Sequence, residues 1–288
     1  MSNKPVTLVY THPNDPIFAS FGRVAGAHDH VECVHIDEVL QHLSPAEWPE
    51  VLHASLPPTL HAKFTGAVVI NRVFSFEGTL AERLAAEWSC HNAWFHSALS
   101  PLLQTASYVV HDPGLRGVSR SVLPLNTQWL RLTAVLPEQR VPKFKYFFGG
   151  ELPAIDDMTD PMQKSIWSIF EWKDDRQLTP REAAWHRFFV ERPVDVPVIA
   201  YYLGDGDPEL IFPRTPCDLS IAAVRRVTDA CRQAFRSEMG EVLLYVNADG
   251  DLTFAAFSPF MNTAATAANW DAKLSQWVES VARERMAA

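Results

Sequence analysis

Residues 240–262 read GEVLLYVNADGDLTFAAFSPFMN. Two largely apolar runs, 242–246 and 252–257, flank the turn-forming residues 247–250, so the stretch is expected to form a β-hairpin. Its nearby acids, Asp249 and Asp251, sit at the turn, where aspartate commonly serves the backbone. The second strand instead carries Ala255, Ala256 and Ser258. A hairpin of this kind says little alone, so its meaning depends on the order of elements before it.

The chain starts with VTLVY, a β-branched strand, followed by turn residues and then PIFASFGRVAGAH, whose apolar positions fall at helical spacing. VECVHIDEVL alternates as a second strand, and residues 67–70 form a buried strand closed by Asn71 and Arg72. A helical stretch over about residues 80–103 and the strand ASYVVHDP complete the alternation that marks a mostly parallel α/β layer. From Ser119 the pattern changes. NTQWLRLTAVLPEQ reads as a capped helix and RVPKFKYFFGG as a strand. Residues 151–190 hold acidic turns, an aromatic stretch and a helix starting at Thr179-Pro180. VDVPVIAYYLGDGD is a strand with a glycine-rich turn. DLSIAAVRRVTDACRQAF is an amphipathic helix with Ala223, Val227, Ala230, Ala234 and Phe235 on one stripe. The hairpin follows, then a last helix from about Ala265.

In this order the segments resemble the ATP-grasp superfamily, especially glutathione synthetase and the ribosomal glutamyl ligases. The resemblance implies an α/β fold, with a small N-terminal α/β domain over residues 1–118 and an ATP-grasp-like C-terminal domain over residues 119–288. Those ligases activate a carboxylate as an acyl phosphate. Their Mg²⁺ takes hard oxygen ligands from an acid and an E-x-N pair on the final hairpin. Here the E-x-N-P segment aligns with residues 256–259, so Ala256 replaces the glutamate and Ser258 the amide. The acid of the preceding strand falls near Leu244. Methyl and isobutyl groups cannot coordinate a hard cation. Between YFFGG and VDVPVIAYY only about forty residues remain, roughly half what a four-stranded, two-helix nucleotide lid requires. The C-terminal domain is therefore expected to be degenerate and to lack most of that lid.

Three groups offer ligand chemistry. Asn71 and Arg72 end a buried strand, where open α/β sheets meet ligands, and Arg72 could hold a carboxylate through two parallel hydrogen bonds. Its alternatives are a surface position or a salt bridge. Lys143 and Lys145 share one face of an aromatic strand, and only seven of the 25 basic residues are lysine. They read equally as an anion site or as guards of a sheet edge. Asn262, just past the hairpin, is the remaining binding candidate. A ligase with displaced ligands would need Asp249 and Asp251 to meet Lys143 and Lys145. His28, His30, Glu32, Cys33 and His35 would suit a transition metal, but strand alternation divides them between two faces. Cys90, His91 and His96 diverge around a helix. Trp167, Phe170, Trp172, Trp185, Phe188 and Phe189 are read mainly as core, with part of the group expected to fill surface left by the missing lid and the rest open to a dimer or partner interface.

The chain of 288 residues is 47% hydrophobic and 20% charged, enough for a sizeable core. A formal charge of −9 disfavours nonspecific nucleic-acid binding. Neither a signal peptide nor a membrane span is read, and four widely spaced cysteines point to a reducing cytoplasm. The expectation is thus a non-catalytic protein using no cofactor and no metal. It would bind a peptide, a small carboxylate or a partner enzyme, or pair as a homodimer, in peptide modification or amide-bond formation. The alternative is an active ATP-dependent carboxylate–amine ligase.

Overall fold

The computed structural model describes residues 6–10, 15–41, 58–74, 76, 78–87, 93–110, 123–147, 154–166 and 187–286. The chain divides into two compact units, one formed by Met1–Ser121 with Ala265–Ala288 and the other by Val122–Ala264. Among the described residues, no helix is long and apolar enough to cross a membrane.

The first unit is built on four parallel strands. These are β1 (Val6–Tyr10), β2 (Val31–His35), β3 (Val68–Arg72) and β4 (Tyr108–Val110), arranged β2-β1-β3-β4. All five residues of β3 are buried, as a strand covered on both faces requires. The connecting helices are α1 (Phe18–Ala27), α2 (Ile36–Leu40), α3 (Pro58–Phe64), α4 (Leu80–Glu87) and α5 (Ala93–Gln104). One core gathers Val34, Val39, Phe64, Val69, Phe95 and Leu102. The single helix expected over residues 80–103 is described as two, α4 and α5.

The last helix, here called α8 (Trp270–Met286), belongs to this first unit, although it was expected to lie in the second domain. Its apolar residues Trp270, Leu274, Trp277 and Val278 are buried, and it packs on α1 and β3. A fully buried side chain of this kind contributes ~1.5–3 kcal/mol. Polar contacts fix its register. Trp270 Nε1–H donates to Ser20 Oγ at 3.1 Å, and Arg23 grips Asp271 with hydrogen bonds of 2.6 and 2.9 Å.

The second unit carries an antiparallel sheet ordered β11-β10-β8-β9, formed by β8 (Val196–Leu203), β9 (Glu209–Ile211), β10 (Met239–Val246) and β11 (Leu252–Ser258). Helices α6 (Leu125–Val135) and α7 (Ile221–Phe235) pack on one face. Ser220 caps α7 by accepting the Ala223 N–H at 3.3 Å, and buried Val224, Val227, Ala230, Cys231 and Phe235 form its inner stripe. The start of α6, expected to be capped, has no side-chain cap. Pro124 precedes the helix, and the Leu125 N–H donates instead to the Ile166 carbonyl at 2.9 Å.

A second sheet, β5-β7-β6, joins β5 (Phe144–Phe147), β6 (Pro161–Gln163) and β7 (Arg187–Glu191). Trp129 on α6 anchors it, its ring 4.9 Å from that of Phe144 and 5.7 Å from that of Phe188. Phe188 and Phe189 are buried here. Trp167, Phe170, Trp172, Trp185 and the helix expected from Thr179 lie outside the described residues.

The outer edge of β11 is closed by side chains. The Gln128 amide donates to the Phe257 carbonyl at 3.1 Å, and its oxygen accepts the Phe257 N–H at 2.7 Å. Trp129 Nε1–H reaches the Ala255 carbonyl at 2.8 Å, and Gln139 reaches Leu252 at 2.7 Å. The Arg140 carbonyl accepts the Phe254 N–H at 2.9 Å. An unpaired strand edge would be a site for foreign pairing, and this one is occupied.

Candidate functional site

On the final hairpin, Ser258 pairs with Glu241 and Ala256 with Leu243. Residues paired this way present side chains to the same face, so Glu241, Leu243, Ala256 and Ser258 share one. Tyr201 of β8 pairs with Glu241 from the other side. This is the face away from α6 and α7. On the opposite face the Phe257 ring lies where a side chain at Gly240 would project: a Cβ there would come within 2.2 Å of it. The Phe257 ring also stacks on Phe235 of α7 at 4.5 Å.

Glu241 is the residue that sequence reading missed. It is fully buried, and one oxygen accepts the backbone N–H groups of Thr263 and Ala264, both at 2.5 Å. A buried carboxylate persists only when such donors compensate its lost hydration. The signal was present: β10 is buried at all eight positions, and Glu241 is its lone charge. The resemblance sets the acid of this strand near Leu244. A register shift between Leu243 and Leu244, however, displaces the strand relative to any regular count.

Beyond β11, the Phe260 N–H donates to Ser258 Oγ at 3.2 Å. Buried Met261 has φ 60°, a left-handed conformation that is uncommon for a residue with a side chain. Asn262 follows on the exposed side of this segment. Thr263 and Ala264 then return to Glu241.

The hairpin turn uses its acids locally. Asn247 Oδ1 accepts the N–H groups of Asp249 and Asp251 at 3.0 and 2.8 Å, and Asp251 forms an ion pair with Arg140 at 2.8 Å. Lys143 and Lys145 converge on Asp157 rather than on these acids. Lys145 donates to the Asp157 carboxylate and the Ala154 carbonyl, while Lys143 Nζ lies 3.2 Å from Asp157 Oδ2 and 3.9 Å from Glu191. The hydrogen bond from Lys145, then that from Lys143, lowers the Asp157 carboxyl to about 2. As β5 is an edge strand, the two lysines also stand where edge guards are expected.

In the first unit, Arg72 is fully buried and already holds a carboxylate. Its Nε–H and Nη2–H donate to the two oxygens of Asp15 at 3.1 and 2.9 Å. Asn71, also buried, accepts the Val73 N–H through its side-chain oxygen at 3.1 Å.

The histidine-rich stretch is dispersed among separate partners. His35 caps α2 by accepting the Asp37 N–H at 3.1 Å, and Glu32 pairs with Lys63. His28 bridges to Ser275 at 2.7 Å and Glu279 at 3.1 Å, with the His30 ring beside it. The Cys33 thiol donates to the Phe21 carbonyl at 3.3 Å, and burial pushes it up to about 11. Cys90 and His91 lie outside the described residues, as does the side chain of His96.

An ATP-grasp site would place Mg²⁺ and a nucleotide against the final hairpin. The donors there do not fit that group. Ala256 offers a methyl and Ser258 a hydroxyl, and one oxygen of Glu241 is taken by two backbone amides. Among the described residues, no three acidic, histidine or cysteine side chains gather in a metal-binding arrangement.

Compared as a sequence, the chain matches no family model and no curated protein. Compared as a structure, it resembles ATP-grasp ligases over nearly its whole length. PsnB, an ATP-grasp ligase complexed with a phosphomimetic variant of minimal precursor, Mg and ADP, gives a TM-score of 0.64 at 13% identity, covering 97% of this chain and 99% of that one. A Chryseobacterium gregarium RiPP-associated ATP-grasp ligase, in complex with ADP and a leader and core peptide, gives 0.62 at 9% identity over 98% and 97%. The macrocyclase MdnC from Microcystis aeruginosa MRC, bound with precursor peptide MdnA, gives 0.58 at 13% identity over 96% and 99%. The chain has the ATP-grasp fold, and at these identities the likeness is one of fold.

Proposed function

We propose that this protein is a non-catalytic ATP-grasp-fold protein that binds a peptide or small carboxylate and serves an enzyme that modifies peptides or forms amide bonds. The observation supporting this reading is the final hairpin, where Ala256 and Ser258, which the resemblance sets at the metal-ligand positions, offer a methyl and a hydroxyl, and one oxygen of Glu241 holds two backbone amides. The peptide class is supported by the likeness to ligases solved with precursor peptides. Lys143 and Lys145 are the proposed anion contacts, and exposed Asn262 offers an amide. Asp157 is more than half exposed, so a peptide carboxylate can exchange with it without disturbing the core. Asn71 and Arg72 are reserved for the architecture of the first unit.

Isothermal titration with ATP and Mg²⁺ tests the first part; no binding in the micromolar range is expected, and micromolar binding overturns the reading. Fluorescence anisotropy with an acidic peptide tests the second. Replacing Lys143 and Lys145 together by alanine should weaken binding by roughly tenfold, equivalent to about 1.4 kcal/mol. An unchanged affinity would remove the lysines from the site.

A further inference from the structure

Strands β1 and β3 are neighbours whose connections leave in opposite directions: β1 leads through α1 to β2, whereas β3 leads to β4 on the far side. Open sheets of this build bind ligands in the crevice beyond the carboxyl ends of the two strands where the order reverses. Tyr10 and Arg72, paired in register, are the last residues of those strands. The groups that follow them therefore define the crevice.

Arg72 presents a guanidinium with two donors aligned on one carboxylate, and its charged end lies 4.5 Å from the centre of the Phe74 ring. A planar fork against an aromatic face is well suited to carboxylate recognition. Its occupant is Asp15, with Arg72 and Asp15 side chains 0% and 4% exposed. A buried ion pair is a poor device for stability alone, since its desolvation cost rivals its attraction. Asp15 has a second duty: its Oδ1 accepts the Ile17 N–H at 3.1 Å, and its carbonyl accepts the Phe18 N–H at 2.9 Å. It thus connects the fork to the start of α1, and through Ser20 and Arg23 to α8.

We infer that the β1/β3 crevice is a carboxylate-binding site filled by the chain's own Asp15, and that a small monocarboxylate occupies the Arg72 fork once Asp15 is removed. In the native chain the tethered carboxylate outcompetes a free one through its effective concentration. The inference is independent of the lysine contacts and of the peptide reading.

The test is thermal unfolding of the full chain carrying Asp15→Ala, in formate or acetate against chloride of equal ionic strength. A saturable rise of roughly 2–4 °C is expected for the variant, with the native protein showing no response beyond chloride. Arg72→Met added to Asp15→Ala should abolish the rise. Asp15→Ser keeps an oxygen for the Ile17 N–H while emptying the fork, and replaces the alanine variant if that one does not fold. The inference is overturned if a folded variant responds to formate as it does to chloride, or responds equally without Arg72. It is also overturned if neither variant folds even in formate.

Discussion

Glu241 and Ser258 face each other across β10 and β11, and both are buried. One oxygen of Glu241 fastens the segment that follows β11, at Thr263 and Ala264. Glu241→Ala should leave two backbone donors unpaired and lower stability by ~1–3 kcal/mol in denaturant unfolding. A change within ±0.5 kcal/mol would show that the clamp is dispensable.

Gly240 is required for space. A Cβ at this position would lie 2.2 Å from the Phe257 ring, which is itself stacked on Phe235. Gly240→Ala should cost about 1–3 kcal/mol by overpacking. Adding Phe257→Leu should recover part of the loss, and a double-mutant cycle measures that coupling.

Gln128 closes the β11 edge with three hydrogen bonds, to Leu123 at 2.8 Å and to both backbone groups of Phe257. Gln128→Leu removes all three and frees the edge at Phe257. Stability should fall by ~1–3 kcal/mol, with concentration-dependent association on light scattering. A stable variant that remains unassociated would show that neighbouring contacts are enough.

The Asp157 carboxyl, held at about 2 by Lys145 and then Lys143, gives a pH signature. Because the folded value is depressed below the unfolded ~3.9, its contribution is complete above pH ~4 and is lost as pH falls through about 2. The difference in unfolding midpoint between native protein and Asp157→Asn should therefore be constant above that window and shrink within it. High salt should reduce it, as the groups face solvent.

Elements with strong local patterns were legible in sequence. The hairpin was marked by its turn residues, β3 by its unbroken apolar run, and α7 by its stripe and Ser220 cap. Contacts set by distant pairing were not. Position alone marked Arg72 as a carboxylate binder, but its partner lies 57 residues away at Asp15. The amphipathic pattern of α8 shows that it packs without showing where, and its place beside α1 comes from Trp270 and Asp271. Strands β6 and β7 escaped notice because a proline opens the first and charged Arg187 and Glu191 bracket the second, so neither shows a clean apolar alternation. Glu241 was obscured by a register shift, which leaves no trace in residue spacing.

The return of α8 to the first unit has a consequence for biosynthesis. Strands β1 to β4 leave the ribosome well before the helix that covers β3, with the whole of the second unit made in between. Until α8 emerges, the nascent sheet lacks part of its roof, so the earlier-made of the two units is the later to be sealed.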